Sequence, residues 1–277
     1  MGTVFSFDIR GAGVPLTALE EAIRWLHRMD AMFSTYRADS EISRMDRGEI
    51  APSDCSPEVR EVLGLAAEAG ERSSNYFSTS INGRLDPSGM VKGWAIEKVS
   101  IFLRNAGSTV HALNGGGDIQ FVGLPAPARP WTIGVASPFQ PRTLATTVSG
   151  PTTGADFAVA TSSTAERRLH VVDPFTGRPA TTLASITLTG ERLTVVDAYA
   201  TAALAMGEAA RDWIEQLPGI EAFAVTADGR SWHTCQFPLH RPSQEPAPRA
   251  NPASVGQCEE NRRHESGLRD CAAGPRP

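Results

Sequence analysis

From Thr3 to Ile9 (TVFSFDI) apolar and polar side chains alternate, which is the period-two pattern of a strand with one buried face. From Leu16 to Met32 the period changes: Leu19, Ile23, Leu26 and Met29 recur at helical spacing, so the chain opens strand then helix. The same reading predicts helices over Pro57 to Ala69, Lys92 to Asn105 and Leu193 to Met206. Strands are predicted over Thr109 to Leu113, Trp131 to Ala136, Leu144 to Val148, Ala184 to Thr189 and Ala222 to Thr226. Strands outnumber helices and do not alternate with them, so an α+β fold is expected rather than a doubly wound parallel sheet. Pro- and Gly-rich breaks at Leu124–Pro130 and Pro138–Pro141 read as loops between strands. From Pro238 onward, Pro, Arg, Glu and Ser dominate and large apolar residues are few. Residues 1–237 are therefore expected to form the folded domain and 238–277 a disordered tail.

Composition narrows the function classes. The 277 residues are 41% apolar and 21% charged, enough to bury a sizeable core. A net charge of -5 gives no reason to expect nucleic acid or an anionic membrane as partner, and any phosphate must be met locally. No run approaches the roughly 20 apolar residues of a membrane span, and strand-like sequence follows Met1 at once, so a cytoplasmic location is expected. The four cysteines (Cys55, Cys235, Cys258, Cys271) have no zinc-site spacing and are read as holding no metal.

Four segments could carry chemistry. In VVDAYATAALAMG, Asp197 and Thr201 stand four apart on a helix, hence on one face, where a carboxylate and a hydroxyl can reach one hard cation; a carboxylate near a helix start and a packed threonine would look the same. In HVVDPFTGRP, His170 precedes an Asp-Pro and Thr-Gly turn; it could transfer a proton or be structural. LNGGGDIQFVG brings glycines after a strand, for close approach to a phosphate or for a tight turn between strands. LDPSGMVKGWAIEKV reads as a turn entering a helix near Lys92-Gly93, either an anion site with Lys92 as point charge or a helix capped by Asp86 and Ser88.

Taken in order, these segments resemble the ApbE family of FAD:protein FMN transferases. The likeness runs through Met1-Gly2-Thr3, FSTYRADSEISRMD (Phe33–Asp46), LDPSGMVKGWAIEK, NGGGD, VATSS (Val159–Ser163), HVVDPFTGRP and DAYATAALAMG. It implies an ApbE-like architecture related to the T-fold, with two subdomains and a flavin cleft between them. It implies magnesium held by Asp197, Thr201 and the carbonyl of Val91, with His170 as catalytic base. It also implies that Met1, Tyr36, Asp39, Ser40, Lys92, Asp118 and Thr161 line or support the flavin site. The implied reaction attaches FMN from FAD, through a phosphodiester, to a Thr or Ser of an acceptor flavoprotein, with release of AMP. Two departures stand out: Ser78 where the family commonly has Asp, and Ser163 where Gly is usual. A FAD-binding or storage protein, or a magnesium-dependent FAD pyrophosphatase yielding FMN and AMP, would use the same residues.

Overall fold

In the computed structural model, residues 3–11, 13–81, 83–164 and 171–240 are described. The chain forms β1 (Phe5–Arg10), α1 (Leu16–Phe33), α2 (Glu41–Asp46), α3 (Pro57–Arg72), β2 (Ser80–Ile81), β3 (Arg84–Leu85), α4 (Ser88–Asn105), β4 (Val110–Gly115), β5 (Asp118–Val122) and β6 (Thr132–Ala136). It continues through β7 (Leu144–Ser149), β8 (Phe157–Ser163), β9 (Leu183–Gly190), α5 (Leu193–Met206), α6 (Ala210–Ile214), β10 (Glu221–Thr226) and β11 (Ser231–His233). Seven strands make one antiparallel sheet in the order β1-β4-β5-β8-β9-β10-β11, and β2-β3 and β6-β7 are separate hairpins. The α+β expectation is met.

Both faces of the large sheet are covered, and the period-two pattern explains how. Leu113, Ala158, Ala160, Ile186, Leu188, Ala222 and Ala224 join the core under α1, α3, α4 and α5. Their neighbours Ala112, Phe121, Phe157, Val159, Phe223 and Val225 point the other way and pack with Val135 and Val148 of the β6-β7 hairpin. On the helical side, α1 is amphipathic and buries one stripe, Ala22, Leu26, Met29 and Phe33. By contrast α5 is buried almost all round between α4 and strands β8 and β9, which suits its Ala-rich, nearly uncharged sequence. No helix among the described residues is long and apolar enough to cross a membrane.

The structure differs from the sequence reading at several points. The helix expected from Lys92 begins a turn earlier, at Ser88, because Asp86 Oδ1 accepts from the Ser88 amide at 2.9 Å and Pro87 sets the entry. Lys92 therefore lies inside α4 and not at its first turn. Residues 238–240, read as tail, extend the β6-β7 hairpin: the Ser149 amide donates to Pro238 O at 2.9 Å and the His240 amide to Thr147 O at 2.8 Å, satisfying the outer edge of β7. The central strand β8 and the short helices α2 and α6 went unread. Residues 241–277 lie outside the described residues.

Candidate active site

α4 and α5 cross with almost no gap, and glycine makes that possible. A Cβ built on Gly93 would sit 2.6 Å from Asp197 Cβ and 2.7 Å from Leu193 O, and one on Gly89 would lie 3.2 Å from Thr201 Cγ2. Two glycines four apart on α4 thus face Asp197 and Thr201 four apart on α5. At this distance the Gly93 amide donates to Asp197 Oδ2 at 2.8 Å. Long-range partners also fix the start of α5, whose N-cap position, Arg192, gives no side-chain cap. Instead the Leu193 amide donates to Gln120 Oε1 at 3.0 Å and the Thr194 amide to Glu97 Oε2 at 2.8 Å, so β5 and α4 satisfy the open helix end.

Beneath the crossing lies a charged cluster. Asp118, fully buried at the start of β5, accepts from the Thr161 amide at 3.0 Å through Oδ1, and its Oδ2 lies 2.5 Å from Lys92 Nζ. Apart from that ion pair, Oδ2 gains no well-aligned hydrogen bond among the described residues. Burial and the neighbouring Asp118 carboxylate push the Asp197 carboxyl well above the ordinary carboxylate range. Two buried carboxylates thus face one ammonium.

The cluster forms the floor of a cleft of about 1120 Å³. Its walls come from the end of α1 and the loop to Tyr36, from Tyr76, Ser78, Ser80, Ile81 and Gly83, and from the first turn of α4, the end of β8, the Val171–Gly177 loop, and Asp197 and Thr201 of α5. Within it, Thr161 Oγ1 lies 2.8 Å from Thr187 Oγ1, and Ser162 Oγ 3.5 Å from Thr201 Oγ1.

Of the residues singled out in sequence, Tyr36, Val91, Lys92, Thr161, Asp197 and Thr201 line this cleft, and Asp118 lies under it. Ser40 acts indirectly: it caps α2 and donates to Ser34 O at 2.6 Å, holding the loop that carries Tyr36. Asp39 is different. It points to solvent, paired with Arg37 at 2.8 Å, and is not among the lining residues, because a neighbouring cation two residues away is its nearest partner. Met1 and His170 lie outside the described residues, although Val171, bonded to His170, lines the cleft. Ser78 and Ser163, the two departures, both line it. The sequence reading missed Gly89, Glu97 and Gln120, whose roles depend on partners distant in the chain.

The donors suit a hard cation. Among the described residues no three His, Cys, Asp or Glu side chains converge, so a site here must draw on hydroxyl and carbonyl oxygens as well. A carboxylate, a threonine hydroxyl and a main-chain carbonyl are the oxygen donors that magnesium accepts, and a dication is the partner that would let the buried Asp197 carboxyl ionise beside Asp118. Cys55 is buried and Cys235 exposed, each as a free thiol.

A model described as the ApbE family matches residues 1–83 and 81–224. The FAD:protein FMN transferase of Vibrio cholerae serotype O1 is 29% identical over 133 residues, covering 45% of this chain and 39% of that protein. The one from Rhodobacter capsulatus is 30% identical over 162 residues, covering 54% and 30%. The matched stretches thus span well under half the length of these curated relatives. Among solved structures, the flavin transferase ApbE of Vibrio cholerae superposes with a TM-score of 0.74 at 21% identity, over 86% of this chain and 95% of that one. The ApbE protein of Thermotoga maritima gives 0.75 at 20% identity, over 85% and 94%. The fold is shared.

Proposed function

The chain belongs to the ApbE family, and from that premise we propose that it is a magnesium-dependent FAD:protein FMN transferase acting on a threonine or serine of an acceptor flavoprotein. The observation that carries the reading is the crossing of α4 and α5, where Gly89 and Gly93 admit Thr201 and Asp197 to a cleft whose floor sets the Asp197 carboxyl beside the buried Asp118–Lys92 pair.

In this reading the acceptor hydroxyl attacks the FMN-side phosphorus of FAD. A new P–O bond forms to the acceptor oxygen, the bond from that phosphorus to the bridging oxygen breaks, and AMP leaves with the bridging oxygen. The hydroxyl proton passes to His170. Asp197, Thr201 and the Val91 carbonyl would hold magnesium, which would supply positive charge where negative charge builds on phosphate oxygens. Lys92, tied to Asp118, contributes a fixed ammonium at the same floor. The Gly93 amide keeps one Asp197 oxygen engaged and so sets the direction of the other. Thr161, held through its amide by Asp118, offers its hydroxyl to the cleft wall.

The direct test is mass spectrometry of a threonine-containing acceptor after incubation with the protein, FAD and magnesium. An FMN adduct that disappears with a chelator and with His170→Ala is the expected result. FMN and AMP released without an adduct would replace transfer by hydrolysis.

A further inference from the structure

Phe175 is 63% exposed, yet it is held firmly. Asp173 Oδ1 accepts from the Phe175 amide at 2.9 Å, Asp173 Oδ2 from the Thr176 hydroxyl at 2.9 Å, and Asp173 O from the Gly177 amide at 2.8 Å. The ring meets Tyr76 edge to face, with centroids 4.9 Å apart. Tyr76 lines the cleft after α3, and Phe175 belongs to the Val171–Gly177 loop, of which Val171, Val172, Pro174 and Gly177 line it, so the pair joins two of its walls.

We propose that the Tyr76–Phe175 pair is the docking surface for the acceptor polypeptide, receiving an apolar side chain close to the threonine or serine that is modified. The inference rests on the transferase reading. A cleft of about 1120 Å³ can take in a dinucleotide, whereas a polypeptide acceptor must lie across the rim with only its hydroxyl reaching inward. In the transferase reading that hydroxyl meets His170, whose chain neighbour Val171 lines the cleft, and Phe175 lies four residues beyond Val171 on the same loop. The acceptor residues beside the hydroxyl therefore fall on this loop, where Phe175 is the exposed large apolar side chain. A ring already fixed by its turn and by Tyr76 loses little conformational freedom on binding, the condition under which an aromatic anchor contributes most to recognition.

The test compares the full chain with Phe175→Ala and Phe175→Leu, using FAD, magnesium and a panel of synthetic peptides. Each peptide carries a single threonine, flanked either by apolar residues or by Gly and Ser. Adduct formation followed by mass spectrometry gives KM and kcat for each peptide, and quenching of flavin fluorescence gives FAD affinity. The expected result is a preference of the native chain for apolar flanks. Phe175→Ala raises KM for those peptides about tenfold and removes the preference, with kcat and FAD affinity within about twofold, and Phe175→Leu recovers most of the loss. Adducts formed with unchanged KM in Phe175→Ala would overturn the docking role and leave the transferase reading standing. A loss of FAD affinity instead would assign the pair to the flavin. If the native chain binds FAD and modifies no peptide, the acceptor surface falls together with peptide transfer.

Discussion

Helix α4 carries two buried polar clusters about two turns apart, and they are built on opposite principles. Toward its end, Ser100 Oγ lies 2.7 Å from His111 Nε2 and Ser108 Oγ lies 2.8 Å from His111 Nδ1, so both ring nitrogens of a fully buried imidazole are satisfied by neutral hydroxyls. Burial, helped by Arg104, lowers His111 to about 4, and it stays neutral. Near its start, Lys92 faces Asp118 while Asp197 stands close by with a raised carboxyl. The first cluster is closed by the protein itself. The second sets a carboxyl whose ionisation burial resists beside the Lys92–Asp118 pair, and it opens into the cleft. A completed buried network specifies a fold; an ionisable group with a shifted titration beside a cavity marks a candidate functional site.

The largest effect should come from removing the Asp197 carboxyl. Asp197→Asn is expected to cut FMN transfer by about 1000-fold while leaving the melting temperature of the metal-free protein unchanged or raised, since it deletes a buried carboxylate that resists ionisation. Transfer rates beside thermal melts check this, and a large loss of stability with activity retained would reverse the assignment of the two clusters.

Acid should act on the other cluster. Below pH 6.5 an unfolded chain protonates His111, while the folded protein refuses the proton until about pH 4. The stabilisation is thus complete above pH 6.5 and is lost as pH falls toward 4, by on the order of 3 kcal/mol. Denaturant titrations from pH 7 to 4 should show this slope in the native chain and a flatter one in His111→Gln. Equal slopes would remove His111 from the account.

Gly93→Ala tests the contact between the helices. Its Cβ would meet Asp197 Cβ at 2.6 Å, so α4 and α5 must separate, at about 1–3 kcal/mol of stability. Calorimetric titration with magnesium should show weaker binding as well; unaltered affinity would mean that the close crossing does not set the donors. The smallest effect is expected at Asp39→Ala, with little change in stability because the Arg37 pair is exposed, and with little change in FAD affinity. A fall of tenfold or more in that affinity would return Asp39 to the flavin site.

What the sequence determined by itself is what repeats locally. The bounds of α5 were legible because apolar residues fit a helical pattern from Leu193 to Met206 with no Gly or Pro before Gly207, and Asp197 and Thr201 share a face by helical geometry alone. Covering both sheet faces left its mark in alternation, as in Ala222 to Val225. The ordered run of segments was enough to indicate the family. Tertiary structure decided whatever joins residues far apart in the chain. It brought Gly89 and Gly93 against α5, set Gln120 and Glu97 on that helix's open amides, buried Asp118 beneath Lys92, and turned Asp39 outward while Ser40 braced the loop. The physical reason is range: hydrophobic period is fixed by the chain's own geometry, whereas the partner of a buried charge is fixed only when distant segments close over it.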